Sequence, residues 1–430
     1  MSRQPGKAQS EGRAPTHVAA NLALDARVAR MAREGSDILH LGFGEARLPF
    51  HQHLADRLAQ GASRTSYGPV AGDARARDAA AAYFRRRGVP SESGQILFGP
   101  GSKALLWALL QVVPGDVVLP RPSWLTYRSQ AVLSGKRVVW ADVPPGLGGL
   151  PDPAELSRRL RDARSAGADP RVLVLTLPDN PTGVVAGREE TERVCRIAEE
   201  EDLLVVSDEI YRDVMAVDPA AQASPAEFCP ERVLVTTGPS KSLGLGGWRI
   251  GLARFPDGPL GSDLFHRVEA VASEVWSTTA GPQLEAAEYA LSEPPEIVSY
   301  RARAARLHRT VTEAVYRIVR RTGADAPRPD GAFYVYPDFE AYRDELALHG
   351  VVDSPSLEAH LLEHHETAVL GGHHFGDDPR LLRFRASTSL LCGTTEQRRR
   401  HAFDSDEPLL IPHVSSALAR VEDVFTKLTT

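Results

Sequence analysis

Short apolar stretches alternate with longer helical patterns over most of the chain before residue 285, and this alternation limits the fold more than any other feature. Residues 171–177, 203–207 and 233–237 are the clearest apolar stretches. Neighbouring parallel strands need long crossover connections, which are usually helices. The pattern therefore predicts an α/β fold, with βαβ units and a largely parallel sheet covered by helices on both faces.

The pattern changes near residue 285 into a long helical stretch, 283–319, with a predicted break at Pro294-Pro295. Shorter strands and helices follow and predict a second, smaller α/β domain. The predicted divisions are a disordered tail (1–16), a segment near the small domain and the active site (17–50), a large domain (51–285) and a small domain (286–430).

Charge and cysteine usage exclude several kinds of partner. The net charge is −6, so no global positive field attracts nucleic acid or an anionic membrane. No apolar run approaches the length of a membrane span, and the first residues lack the apolar region of a secretory signal. The three cysteines form no CxxC pair. These observations predict a cytoplasmic protein that binds neither nucleic acid nor membrane.

Lysine chemistry has few candidates in this chain. Only five of the basic residues are lysines: Lys7, Lys103, Lys136, Lys241 and Lys427. Lys241 lies in a glycine-rich turn directly after the apolar stretch 233–237, where partial desolvation would lower the pKa of its amine. Arg249 follows on the next predicted strand, 249–253, and offers a forked donor suited to phosphate. The simpler interpretation is a surface lysine beside a flexible turn.

Three other motifs also stand where strands end or helices begin. Asn180 lies in Pro-Asp-Asn-Pro-Thr-Gly after the stretch 171–177, and Asp208 and Tyr211 lie in Ser-Asp-Glu-Ile-Tyr after 203–207. Ligands of parallel sheets bind at these carboxyl ends. Gly99-Pro100-Gly101 opens a helix, whose free amides suit a phosphate. Taken singly, each motif has a simpler interpretation. The Asn180 motif fits a turn between strand and helix, Asp208 fits a helix N-cap, and the glycine turn fits a capped helix start.

Together and in this order the motifs resemble the class I and II aminotransferases, which are pyridoxal 5'-phosphate (PLP) enzymes of fold type I. Asn-Pro-Thr-Gly, Ser-Asp-Glu-Ile-Tyr and Ser-Lys-(x)6-Trp-Arg-Ile-Gly carry the resemblance, which runs from about Leu41 to about Ser389. It implies a large domain with a mostly parallel seven-stranded sheet and a smaller C-terminal α/β domain. It also implies PLP as the cofactor, and amino-group transfer between an L-amino acid and a 2-oxo acid.

The resemblance implies a role for each motif residue. Lys241 resembles the lysine that forms the Schiff base with PLP and moves the α-proton of the substrate. Asp208 resembles the carboxylate that faces the pyridine nitrogen and keeps it protonated. Asn180 and Tyr211 resemble the donors to the phenolate oxygen of the ring. The remaining cofactor residues are Gly101, Ser102, Lys103, Ser240 and Arg249 around the phosphate, and Trp124 on the ring face. The alternative for Trp124 is a core side chain at a helix start.

Three further positions resemble substrate or subunit contacts. Tyr67 resembles a tyrosine that reaches the phosphate in the neighbouring subunit, which implies a homodimer. Arg383 resembles the arginine that binds the α-carboxylate of the substrate in bidentate fashion. Arg385 is the alternative, because residues two apart on a strand share a face. Gly42 begins a turn, 42–45, that resembles the mobile segment covering the substrate.

His373 and His374 depart from the family pattern, in which small residues are usual at this loop. Adjacent histidines suggest a metal, but no acidic residue or third histidine stands at ligand spacing. No metal site is therefore predicted, and solvent-facing loop histidines are favoured over a substrate contact.

The motif residues leave alternative functions open. A non-transaminating PLP enzyme of the same fold, similar to 1-aminocyclopropane-1-carboxylate synthase, would act on S-adenosylmethionine or a similar amino acid by elimination, cyclisation or C–C bond formation. The residues that bind the cofactor would be the same. A PLP-fold transcription regulator would need a DNA-binding domain before the first motif, where the sequence leaves too little room. A nicotinamide dehydrogenase would need GxGxxG after its first strand, which this chain lacks.

Overall fold

The computed structural model describes residues 18–215 and 222–429, so the whole predicted tail, 1–16, lies outside the described residues. The described α-helices are α1 (Ala20–Arg33), α2 (Gln52–Gln60), α3 (Ala74–Arg86), α4 (Ser102–Val112), α5 (Leu125–Leu133), α6 (Pro153–Ser165), α7 (Arg188–Glu200), α8 (Pro239–Ser242), α9 (Gly258–Val275), α10 (Gly281–Ser292), α11 (Pro295–Arg321), α12 (Arg343–Ala347), α13 (Ser354–His365), α14 (Glu396–Asp404) and α15 (Pro412–Lys427). The strands are β1 (Leu39–His40), β2 (Ile96–Gly99), β3 (Asp116–Arg121), β4 (Val138–Asp142), β5 (Pro170–Thr176), β6 (Leu204–Asp208), β7 (Val233–Thr237), β8 (Gly251–Arg254), β9 (Tyr334–Val335), β10 (Thr367–Ala368), β11 (Leu370–Gly371) and β12 (Phe384–Ser387).

Seven strands form one central sheet in the order β2-β8-β7-β6-β5-β3-β4. Only β8 runs against its neighbours, since it pairs antiparallel with both β2 and β7. The prediction of a mostly parallel seven-stranded sheet is therefore confirmed. The antiparallel β8 brings its first residue to the edge where the parallel strands end.

Alternate side chains of β5 pack into two separate apolar cores, as expected for a strand covered by helices on both faces. Val172 and Val174 pack into one apolar cluster, with α4 and α9. Leu173 and Leu175 pack into the other, with α3 and α6. All four side chains are buried. This is why the central strands read as continuous apolar runs in the sequence.

The structure confirms the predicted helix break at Pro294-Pro295, and a smaller unit follows it. Glu293 ends α10 with a φ of 57°, and α11 starts at Pro295. α10 packs on α3 and α2, whereas α11 packs on α15 and α14. A three-stranded sheet, β11-β12-β9, lies in the second unit, and β1 pairs with β10. We still propose two domains, and this packing favours a limit at 293–294 rather than at 285.

Sequence periodicity missed five helices: α2, α8, α9, α12 and α14. α9 starts at Gly258-Pro259, two residues typical of turns, so its apolar spacing was not recognised as helical. α14 is short and strongly charged. Among the described residues, no helix is both long and apolar enough to cross a membrane.

Candidate active site

Three predicted site residues lie at the same edge of the central sheet. Asp208 is the last residue of β6, Asn180 follows β5, and Lys241 follows β7. The strands are adjacent, with Thr176 of β5 paired to Asp208 and Asp208 paired to Thr236 of β7. Because parallel strands all end on one side, this register brings the three motifs together.

Hydrogen bonds fix the buried carboxylate of Asp208 at this edge. The Tyr127 hydroxyl donates to Oδ2 over 2.8 Å, and the Thr236 hydroxyl donates to Oδ1 over 3.1 Å. Burial raises the pKa of Asp208 to about 6, and the two donors limit this rise because they stabilise the ionised form. The carboxylate is thus oriented and ready to pair with a cationic N–H group.

The amine of Lys241 contacts the turn 42–45 and interacts electrostatically with the carboxylate of Asp208. Nζ donates a hydrogen bond to the carbonyl of Gly44 and lies 5.9 Å from the ring centroid of Tyr211. Burial, followed by the positive charge of Arg385, lowers the pKa of Lys241 to about 8. A larger fraction of this amine is therefore neutral, and nucleophilic, at neutral pH than for an ordinary lysine.

Arg249 does not lie on a strand, which corrects the sequence prediction. It precedes β8 and has a left-handed backbone, with a φ of 54°. This conformation turns its guanidinium towards the Gly101 loop, where Nη2 lies 3.4 Å from the carbonyl oxygen of Pro100. Nη1 donates to the carbonyl of Gly246 over 3.0 Å. The exposed guanidinium keeps donors available for an anion at the start of α4.

The start of α4 forms a cradle that suits a phosphate. Gly101 has a φ of 86°, and a Cβ there would lie 2.2 Å from Nη2 of Arg249. A Cβ on Gly251 would lie 2.3 Å from the amide nitrogen of Ser102. Glycine at both positions lets the backbone approach closely, while the first amides of α4 stay outside the helical hydrogen-bond ladder. The donor set fits the phosphate of PLP.

Lys103 and Trp124 extend this cradle towards the centre of the sheet edge. Lys103 Nζ lies 5.2 Å from the Trp124 ring centroid, and burial together with Arg249 lowers the pKa of Lys103. Trp124 precedes α5 and is packed edge-on against Tyr127. Ser240 lies in α8 beside Lys241 and is half-buried. Lys103 thus contacts Trp124, Arg249 lies against Gly101 at the start of α4, and Ser240 lies next to Lys241 in α8.

A buried polar network joins the two units of the chain. Arg385, on β12, donates to Oδ1 of Asn180 over 3.0 Å and to the carbonyl of Gly42 over 2.9 Å. The hydroxyls of Tyr211 and Tyr334 are 2.6 Å apart. Since its carbonyl oxygen is occupied, Asn180 presents its NH₂ group as the free donor. Of the predicted pair, Tyr211 lies beside Lys241, and Asn180 is joined to the site through Arg385.

Arg385, not Arg383, is the arginine that lies in this site. Its side chain is 2 % exposed, its Nε has no hydrogen-bond partner, and no carboxylate among the described residues pairs with it. Arg383 instead pairs with Asp338 over 2.7 Å and with Asp377 over 3.3 Å. β12 begins at Phe384, and Arg383 forms an isolated antiparallel bridge with Asp338, the residue that its guanidinium also pairs with. We therefore transfer the proposed carboxylate-binding role to Arg385.

The chain matches the family described as aminotransferase class I and II over residues 36–403. The chain belongs to the class I and II aminotransferases. A probable aspartate/prephenate aminotransferase of Thermus aquaticus is 30% identical over 355 residues, which is 79% of this chain and 88% of the relative. The aspartate aminotransferase of Bacillus subtilis is 28% identical and covers 86% of this chain and 92% of its own.

A solved aspartate aminotransferase of Thermus thermophilus, determined with maleate, has the same fold. Its TM-score is 0.79 at 27% identity, with 95% of this chain and 97% of that chain covered. The protein is thus an aminotransferase of fold type I, a family that depends on PLP. The relatives' names favour transamination over the elimination and cyclisation alternatives.

Gly42 and Tyr67, also predicted as site residues, lie outside the group of side chains around Lys241. Gly42 lies over the network, where a Cβ would lie 2.3 Å from Leu24 Cδ2, and its carbonyl holds Arg385. Tyr67 is 88 % exposed, and the single chain does not bring it into the network. Its proposed contact with a second subunit stays a prediction.

Sequence reasoning missed Tyr127, Thr236 and Tyr334. Tyr127 had a weak signal, because it stands three residues after Trp124 at the start of a helix and so lies near it. Thr236 is an ordinary β-strand residue until the register places it beside Asp208. Tyr334 belongs to the second unit and reaches the site only through the packing of the two units.

Proposed function

We propose that this aminotransferase holds PLP covalently at Nζ of Lys241 and moves an amino group between an L-amino acid and a 2-oxo acid. The observation that carries the proposal is the buried guanidinium of Arg385, which has no carboxylate partner among the described residues and lies between Asn180 and the turn 42–45. A buried cation without an anion is unfavourable, so this position suits the carboxylate of a bound amino acid.

The described residues account for each part of the cofactor. Asp208 would hold the protonated ring nitrogen, and Asn180 and Tyr211 would donate to the ring oxygen. Gly101, Ser102, Lys103, Ser240 and Arg249 would hold the phosphate, with Trp124 against the ring. When bound, PLP withdraws electrons from the α-carbon of the substrate and so allows the α-proton to leave.

Lys241 then serves as the proton carrier. Its Nζ donates to the Gly44 carbonyl and interacts electrostatically with the Asp208 carboxylate, at the face where Arg385 would orient the substrate. A neutral amine at this position accepts the α-proton and returns it to a neighbouring carbon. The turn 42–45 excludes water from the amine while the substrate is held.

The identity of the amino donor is the least constrained part of the proposal. The relatives are named for aspartate and prephenate, so aspartate is the first donor to test. Among the charges that most affect the pKa of Lys241, the two from arginines belong to Arg385 and Arg249. Both have proposed roles, with the substrate carboxylate and the phosphate, which leaves neither for a second carboxylate. The test panel should therefore include neutral and basic amino acids.

We also propose a homodimer, in which the exposed Tyr67 reaches the phosphate of the neighbouring site. Size-exclusion chromatography with light scattering tests the dimer. A cytoplasmic location is proposed from the three free, buried cysteines, which a reducing compartment suits.

A stoichiometric reaction without an oxo-acid acceptor tests the proposed function. The holoenzyme is mixed with one amino acid, and its visible absorbance and the released oxo acid are measured. We expect the band of the lysine-bound cofactor to disappear as one oxo acid per chain is formed, because the cofactor keeps the amino group. Continued consumption of amino acid or S-adenosylmethionine with an unchanged band would instead support elimination or cyclisation.

The lowered pKa of Lys241 predicts how the cofactor-free protein captures PLP. With a pKa of about 8, the neutral fraction of the amine rises roughly twentyfold between about pH 6.5 and 8.5 and then levels off. The rate of absorbance gain on adding PLP should follow this curve. A rate that keeps rising tenfold per pH unit above pH 8.5 would indicate an unperturbed lysine and contradict the prediction.

A further inference from the structure

Three metal-ligating side chains meet beside β11, at a point that the sequence interpretation treated as a plain loop. His373 and His374 lie in the short turn 372–375, and Glu358 lies on the facing side of α13. One ring nitrogen of each histidine and one carboxylate oxygen of Glu358 all lie within 4.8 Å of one another. All three residues are half-buried. The carboxylate that local spacing lacks therefore comes from a helix sixteen positions before His374.

The protein already orients the carboxylate of Glu358. Its Oε2 accepts the backbone N–H of Gly371 over 2.7 Å and lies 3.1 Å from Nε2 of His374. Two ligands of one tetrahedral zinc ion, each about 2.1 Å from the metal, lie about 3.4 Å apart. The separation of the Glu358 and His374 atoms is therefore close to that of two ligands on a shared ion.

The tautomer of His373 is set by its neighbour Ser354. The hydroxyl of Ser354 has one hydrogen, which it donates to the carbonyl of Arg383 over 3.0 Å. The contact of 3.1 Å between this hydroxyl and Nδ1 of His373 therefore requires Nδ1 to be the donor. Nε2 of His373 then carries the free lone pair. A hydrogen bond on the other ring nitrogen is the usual support for a metal-binding histidine.

We propose that His373, His374 and Glu358 bind one divalent late transition-metal ion, with Zn²⁺ as the ion that the ligand set suits best. Two imidazoles and one carboxylate leave the fourth tetrahedral position to water. The bound ion would stabilise the local structure of the turn 372–375. Phe375 ends the same turn, its ring centroid lies 5.0 Å from the Arg385 guanidinium, and its carbonyl accepts the amide of Ser123. A metal would fix this turn against α13 and so keep the ring of Phe375 packed against the guanidinium of Arg385.

Calorimetric titration of the PLP-loaded, untagged protein with ZnCl₂, after removal of metals by a chelator, tests the proposal. We expect one ion to bind per chain, and we expect His373→Gln, His374→Gln and Glu358→Gln each to weaken binding at least tenfold. Glutamine keeps the size and polarity of these half-buried side chains, and circular dichroism checks that each variant folds.

A second histidine cluster supplies the matched control. His360 and His364 lie one turn apart on α13, with ring centroids 4.8 Å apart, and could themselves bind a metal. Replacing both with glutamine should leave the tight site unchanged. The proposal is overturned if the wild-type protein binds no Zn²⁺, or if tight binding is lost in the His360→Gln/His364→Gln protein and kept in His374→Gln.

Cobalt gives an independent readout of the ligand set. Co²⁺ in a tetrahedral site has visible d–d bands far stronger than those of octahedral Co²⁺, and these bands lie at longer wavelength than the PLP band. We expect strong bands in the wild-type protein and their loss in His374→Gln. Weak octahedral bands that are unchanged in His374→Gln would contradict a site built from these residues.

Discussion

Lys241→Ala should remove the visible absorbance band of the cofactor and lower kcat by about 10⁴-fold or more. The reason is that the amine is both the proposed covalent anchor and the proposed carrier of the α-proton. The measurement is an absorbance spectrum of the purified variant after saturation with PLP, followed by a transamination assay.

Lys427→Ala is the control for a general loss of lysine. Lys427 is the last residue of α15, and among the described residues its ion pair is with Asp423 on the surface. Its replacement should leave the band and the rate unchanged. A Lys241→Ala protein that keeps the band would mean that the cofactor is anchored elsewhere and would remove the basis of the mechanism.

Arg385→Gln should raise KM for the amino acid about 100-fold, whereas Arg383→Gln should change it little. The guanidinium of Arg385 is proposed to bind the substrate carboxylate, and charge-assisted bidentate bonds of this kind contribute about 3 kcal/mol. Steady-state kinetics with the best amino donor measures both variants. Glutamine retains donors, so the contacts with Asn180 and Gly42 can partly persist.

Arg383→Gln has a different expected consequence. It leaves Asp338 and Asp377 without their cation, so the melting temperature should fall while KM stays near the wild-type value. Thermal unfolding followed by circular dichroism measures this. The opposite result, with a large KM change only in Arg383→Gln, would return the carboxylate-binding role to Arg383.

Metal bound at His373, His374 and Glu358 could change the KM values measured in these kinetic tests. The turn 372–375 lies behind Arg385, so the metal content of each preparation should be fixed before KM values are compared. Preparations treated with chelator and preparations loaded with Zn²⁺ should be measured side by side. This keeps an effect of the turn separate from an effect of the guanidinium itself.

Residues close to a strand end were predictable because their position depends on local order alone. Asn180, Asp208 and Lys241 each follow an apolar stretch, and the carboxyl ends of adjacent parallel strands meet at one edge. The seven-stranded sheet followed from the family that these motifs resemble. Neither inference needed any knowledge of side-chain direction in the second unit.

Arg249 and Arg385 show where this reasoning stops. The strand after Lys241 was predicted two residues too early, because a left-handed residue such as Arg249 leaves no mark on apolar periodicity. Arg383 and Arg385 are both arginines in one apolar stretch, and local pattern cannot distinguish them. Only the position of β12 relative to Asn180, and the acidic partners of Arg383, separates their roles.

The sequence by itself determined the α/β architecture, the family and the candidate cofactor residues, since these depend on periodicity and on motifs read within a few residues. Tertiary structure alone decided three things: which arginine faces Lys241, which hydroxyls hold Asp208, and that Glu358 reaches His373 and His374. The physical reason is the same for all three. Each contact joins segments far apart in the chain, so it exists only once the sheets and helices have packed.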